Sequence, residues 1–178
     1  MKKEIIYLFV FSTCFFFLSS LLGYTHISLV DSVTRQEIIS AISEEFSFIS
    51  ELSSFQLFLT IFLRNTLISF VIMLLGIILG IVPLLFVFAN GYLLGVVSYF
   101  VIKTKGVETL LLGIVPHGIL EIPAAMIAAA YGFFLAWSLF FKKEIKIKEA
   151  VVVYLKVVLP LLFLAALIEA YITPLFIW

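Results

Sequence analysis

The chain of 178 residues is poor in charge, cysteine and histidine, and each shortage removes a class of protein. Charged residues make up 12% of it, whereas a water-soluble surface calls for roughly 25–35%. Lysine plus arginine and aspartate plus glutamate number 11 each, so there is no basic field to attract nucleic acid. The single cysteine, Cys14, cannot close an intrachain disulfide and sits in an apolar run, where it serves as a small apolar side chain. Of the two histidines, His26 and His117, neither belongs to an H-E-x-x-H pattern, and no Ser-His or Cys-His spacing recommends a nucleophile. The expectation is a protein that is not an enzyme, with no cofactor and no resident metal.

What is abundant is apolar surface. Hydrophobic residues account for 64% of the chain, with 20 phenylalanines among them, and that composition is solvated by lipid rather than water. A helix needs about 20 apolar residues to cross a bilayer, which converts the apolar runs into an all-α, polytopic bundle of about five transmembrane helices. The first run is Ile5 to Leu22 behind Lys2 and Lys3; no A-x-A-like site follows Phe17-Leu18-Ser19-Ser20, so it is expected to be a retained anchor. The second and third are Thr66 to Val82 and Leu84 to Ile102, divided at Pro83, with Asn90-Gly91 as the rival break. The fifth is Val151 to about Thr173, closed by Pro174.

The fourth run, Val107 to Phe141, would span roughly 50 Å as one helix against a hydrocarbon core of about 30 Å. Pro116 and Gly118 offer a break, which predicts a broken or re-entrant segment over 107–118 feeding a full span from Ile119, with Pro123 inside it. Two crossings here, giving six spans, is the alternative. Lysine and arginine placement sets the expected orientation, since positive flanks stay cytoplasmic. Lys2, Lys3, Lys142, Lys143, Lys146 and Lys148 outweigh Arg35, Arg64, Lys103 and Lys105. The protein is thus expected in the cell membrane, multi-pass, with the N-terminus cytoplasmic and the C-terminus extracytoplasmic.

Within this single domain, 1–178, residues 31–54 form the one sizeable polar insertion. Ile38, Ile42, Phe46, Ile49 and Leu52 recur at helical steps, which predicts an extracytoplasmic amphipathic helix. Thr34 and Glu37 read as its capping box. Its polar face carries Glu44, Glu45 and Glu51, so it suits the outer side of the bundle or a protein partner better than anionic lipid; a solvated connector is the plainer reading. Small residues four apart, Gly76 with Gly80 and Gly91 with Gly95, continued by Ala124, Ala128 and Gly132, mark close helix packing. They are expected to build the bundle first, with homo-oligomer formation secondary.

Ionisable groups inside such runs are costly and are normally paired, hidden or used. Arg64 and Asn65 are placed at the outer entrance of the second span, and His117 and Glu121 at the outer end of the fourth. Glu169, about 27 Å along a helix begun at Val151, reaches the same depth. His117 and Glu121, at i and i+4, share a helix face. The prediction is an intramembrane cluster of Arg64, Asn65, His117, Glu121 and Glu169, with Asn90 apart from it. As a metal-dependent membrane enzyme, the outside alternative, His117, Glu121 and Glu169 would be ligands and His26 the missing fourth.

In its order of motifs the chain resembles the stage II sporulation protein M family. These are Asn65 leading an apolar run, Leu79-Gly80 with Pro83-Leu84, Asn90-Gly91 with Leu94-Gly95, Pro116-His117-Gly118-Ile119-Leu120-Glu121-Ile122-Pro123-Ala124, and Ile168-Glu169-Ala170 with Thr173-Pro174. The resemblance covers roughly Arg64 to Pro174. It implies a membrane platform rather than a reaction: the namesake works with two peptidoglycan-degrading partners during engulfment, while many relatives occur in organisms that do not sporulate. Two functions follow as expectations. One is a non-enzymatic scaffold or assembly protein that recruits envelope partners within the lipid bilayer. The other is a small transporter or channel with an ion or proton site at His117, Glu121 and Glu169.

Overall fold

The computed structural model describes residues 3–50, 52–142 and 144–177. The side chains of Glu44, Glu45, Phe46 and Ile49, and the whole of Lys2, Glu51 and Lys143, lie outside the described residues. Helices follow in the order α1 (Lys3–Leu29), α2 (Ser32–Ser50), α3 (Ser54–Leu75), α4 (Ile81–Lys105), α5 (Val107–Lys142), α6 (Ile147–Ile172) and a short α7 (Pro174–Ile177). Five of them, all but α2 and α7, are long and apolar enough to cross a membrane. Large apolar side chains such as Leu18, Leu67, Leu85, Ile119 and Phe163 are exposed on their outer faces, as lipid contact requires. The chain is a multi-pass membrane protein.

Several expected boundaries move. The helix expected to begin at Thr66 begins at Ser54, because Leu57 to Leu63 extend its apolar run and Ser53 and Gln56 form a reciprocal capping box there. Asn65 therefore stands mid-helix rather than at an entrance. The chain does not break at Pro83 or at Asn90-Gly91: both lie inside α4, Pro83 in its first turn, where a missing N–H costs little. Reversal happens earlier, over residues 76–80, where Leu79 and Gly80 have φ of 52° and 71°. Gly80 takes that conformation freely, whereas a branched leucine there is strained.

The predicted break over 107–118 is also absent. α5 is one continuous helix of 36 residues running through Pro116 and Pro123. Each proline removes an i to i−4 hydrogen bond, but in a bundle neighbouring helices and side chains offset that loss. This helix is the most enclosed of the five. Its small-residue face, with Ala124, Ala128, Ala129 and Gly132 buried, lets the others approach. Around it a core forms from Ile5 of α1, Met73 of α3, Tyr131, Phe134 and Leu135 of α5, and Tyr154, Val158 and Leu162 of α6.

α1 and α4 run parallel in the most extensive pairing of the bundle, with Gly91 against Phe16 and Ser19, Gly95 against Ser20 and Tyr24, and Gly23 against Tyr92. On the opposite side of α5, Gly76 of α3 meets Gly132. The glycines thus build the bundle itself. Lys142 and Glu4 approach to 3.4 Å, which puts the start of α1 and the end of α5 at one end of the molecule.

At the other end, α2 is capped by Asp31 rather than by Thr34. The Asp31 Oδ1 accepts from the amides of Val33 and Thr34, both at 3.0 Å, and Oδ2 accepts from the Thr34 hydroxyl at 2.7 Å. Ile38 and Ile42 pack against a buried cluster of Ile27, Val96 and Tyr99. Arg35 donates to the carbonyls of Ile27, Ser28 and Val30, closing the open end of α1.

Candidate functional site

α6 is not a uniform α-helix. It widens into π-helical turns at Tyr154–Val158 and Ile168–Ile172, each shortly before a proline, Pro160 and Pro174. A proline clashes with the carbonyl four residues back, and a wider turn relieves the crowding. In the second turn the amide of Thr173 donates to Ile168 O at 2.8 Å, five residues back. This carries Glu169 and Thr173 onto the side that faces α5.

There three ionisable side chains from α5 and α6 come together. One ligand-type atom each from His117, Glu121 and Glu169 lie within 4.8 Å of one another, and all three residues are half-buried. His117 and Glu121 stand one turn apart on α5, which is why the uninterrupted helix matters: a break at Pro116 or Gly118 would have uncoupled them. Asn65 Nδ2 of α3 donates to Glu121 Oε1 at 2.9 Å. His117 Nδ1 lies 3.3 Å from Thr173 Oγ1.

A second polar layer lies on α3 and α6. The Ser69 hydroxyl is 2.9 Å from the Tyr154 hydroxyl and donates to Asn65 O at 2.6 Å, while the Tyr154 hydroxyl donates to Thr66 O at 2.6 Å. Thr66 Oγ1 is buried with no hydrogen-bond partner among the described residues. Polar groups of three helices thus continue from Thr173 and His117, through Glu169, Glu121 and Asn65, to Ser69 and Tyr154.

The remaining expected residues differ in their surroundings. Arg64, the residue before Asn65 on α3, is exposed. Asn90 is exposed and bonds to Phe86 O of its own helix, as expected for a residue apart from the cluster. His26, the proposed fourth ligand, hydrogen-bonds instead to the Tyr92 hydroxyl on α4. Thr173, Ser69 and Tyr154 were not anticipated as members. Ser69 carried a usable signal, since it stands four residues after Asn65 and so shares its face; Tyr154 carried none beyond being a lone hydroxyl in an apolar run.

Chemically, two carboxylates and an imidazole this close in a poorly polarisable surrounding need compensation, from shared protons, from hydrogen bonds or from a cation. The same three residues are those that could hold a metal.

Comparison with known proteins places this geometry in context. The family model described as stage II sporulation protein M matches residues 9–174. No curated protein and no solved structure matches the chain.

Proposed function

The chain belongs to the stage II sporulation protein M family, and from that premise we propose that it is a non-enzymatic integral membrane scaffold that recruits or organises envelope partners. The observation that carries this reading is α2. It stands outside the five spans, with Ile38 and Ile42 packed down onto the bundle. Ser32, Val33, Gln36, Glu37, Ser40 and Ala41 are exposed, pairs of residues four apart that form a continuous stripe along one face. A helix tied to the bundle by Arg35 and capped by Asp31 offers that stripe in a fixed pose, and pre-organisation lowers the entropic cost of docking. The polar layers of α3, α5 and α6 serve as glue between helices, since membrane hydrogen bonds contribute on the order of 0.6 kcal/mol each. In this reading the N-terminus is cytoplasmic and α2 and the C-terminus are extracytoplasmic.

A photo-crosslinking residue at Gln36 in living cells is expected to give a discrete adduct that the same probe at Ile38 does not. Equal labelling from both positions, or none from Gln36, sinks the scaffold reading.

The run of polar groups from Thr173 to Tyr154 supports a second reading, a small transporter or channel. Reconstituted vesicles would then show ion or proton flux that Glu121→Gln and Glu169→Gln abolish. Absence of flux, or flux unchanged by both substitutions, removes it.

A further inference from the structure

The convergence of His117, Glu121 and Glu169 goes beyond packing. We propose that these three side chains form a binding site for a first-row divalent transition-metal ion of the zinc type, held between α5 and α6, with Asn65 and Thr173 as positioning residues.

The spacing is the first ground. Ligands bound tetrahedrally at about 2.0–2.2 Å from zinc sit a little over 3 Å apart. The three ligand-type atoms already lie within 4.8 Å of one another, close to that separation. Donor chemistry is the second. One imidazole nitrogen with two carboxylate oxygens suits zinc, manganese or iron, whereas calcium and magnesium take oxygen ligands alone. Charge is the third: two carboxylates in the hydrocarbon region are neutralised by one divalent ion, and the Glu169 carboxylate accepts no hydrogen bond from any described residue.

The surrounding shell is an independent ground. Metal-binding carboxylates and histidines are themselves oriented by hydrogen bonds from outside the site. Here the Asn65 amide donates to Glu121 Oε1 at 2.9 Å, and Thr173 Oγ1 stands 3.3 Å from His117 Nδ1. With Thr173 accepting the Nδ1 proton, the lone pair stays on Nε2, the form of imidazole that ligates. Three protein ligands leave a fourth position for water. The site stands apart from the scaffold reading, which predicts partner adducts at α2 and is indifferent to metal.

The test uses the full chain without an affinity tag, in lipid nanodiscs, stripped by a chelator and dialysed. Titration with Co²⁺ is expected to produce visible absorption bands that saturate at one equivalent, are removed by one equivalent of Zn²⁺ and are untouched by Mg²⁺ or Ca²⁺. Glu169→Gln should weaken Co²⁺ binding at least 100-fold and Asn65→Ala about tenfold, a typical loss for an outer-shell partner. Glu169→Asp, keeping the carboxylate, should recover part of the loss. Helicity by circular dichroism identifies variants that remain folded. A folded parent chain that gives no bands, that answers to Mg²⁺ or Ca²⁺ equally, or that binds as well after Glu121→Gln with Glu169→Gln overturns the proposal.

Discussion

The bundle holds together by two different devices on the two sides of α5. Along α1 and α4 the contact is between backbones: a Cβ on Gly23, Gly91 or Gly95 would run into main-chain atoms of the facing helix. The serines there, Ser12 and Ser19, bond back to their own helix, at 2.8 Å and 2.7 Å, and the His26–Tyr92 hydrogen bond crosses the seam near the end of α1. Along α3, α5 and α6 one close backbone approach remains, Gly76 against Gly132, but side-chain hydrogen bonds between helices are more numerous. Asn65, Glu121, Ser69, Tyr154, His117 and Thr173 reach across from one helix to another. In lipid, apolar contact alone gives no net drive to associate, so helices meet either through close approach or through side-chain hydrogen bonds. The first device is sensitive to volume and indifferent to chemistry; the second is the reverse.

The seam should therefore fail first when bulk is added. Gly95→Leu is expected to destabilise the protein by about 3 kcal/mol, because the obstacles are the Ser20 carbonyl and the Tyr24 amide rather than a yielding side-chain tip; reversible unfolding in bicelles would measure it. Asn65→Leu asks the opposite question of the other side. It preserves bulk and removes the donor to Glu121, for an expected loss of about 1.5 kcal/mol at the upper end for a membrane hydrogen bond. If it proves neutral, the polar device is ornament rather than glue.

Thr66→Val sharpens the contrast by sign. Deleting a buried hydroxyl that has no partner among the described residues should stabilise the fold by about 1 kcal/mol. Tyr154→Phe removes the hydroxyl shared with Ser69 and Thr66 O, with an expected loss of about 0.6 kcal/mol. The smallest effect lies outside both regions. The hydrogen bonds from the Thr34 backbone and side chain hold the Asp31 carboxyl below its ordinary value of 3.8. A depressed value means that the cap's contribution is complete above pH 3.8 and fades as pH falls through the lower, folded-state value. Hydrogen exchange at residues 32–37 should quicken in that acid window, and at neutral pH in Asp31→Ala, while the bundle stays protected.

The difference between the two devices also explains what could be read in advance. Apolar run lengths give the number of spans, and one-turn spacing gives the shared face of His117 and Glu121, so the central trio was legible. Helix limits were not. Proline is a strong breaker in water, but α5 passes through Pro116 and Pro123 because lipid and neighbouring helices leave the backbone no better alternative. The reversal at Leu79-Gly80 was hidden for a related reason: a leucine at φ 52° is imposed by the packing around it and announces nothing locally. Partners across helices, such as Tyr154 for Ser69, depend on how far α6 slides and rotates against α3, and no local pattern encodes that.

α6 adds one further lesson. Each π-helical turn holds one more residue than an α-turn of the same height, so everything beyond it is rotated by roughly 100° relative to an unbroken helix. The bearing of Glu169 is therefore a matter of counting as well as chemistry. Removing Val157 from the turn at 154–158 would keep every functional side chain in the gene product and yet swing Glu169 away from His117 and Glu121. Read this way, α6 is a dial with two built-in clicks, and a one-codon deletion far from the site would be as decisive as deleting the glutamate itself.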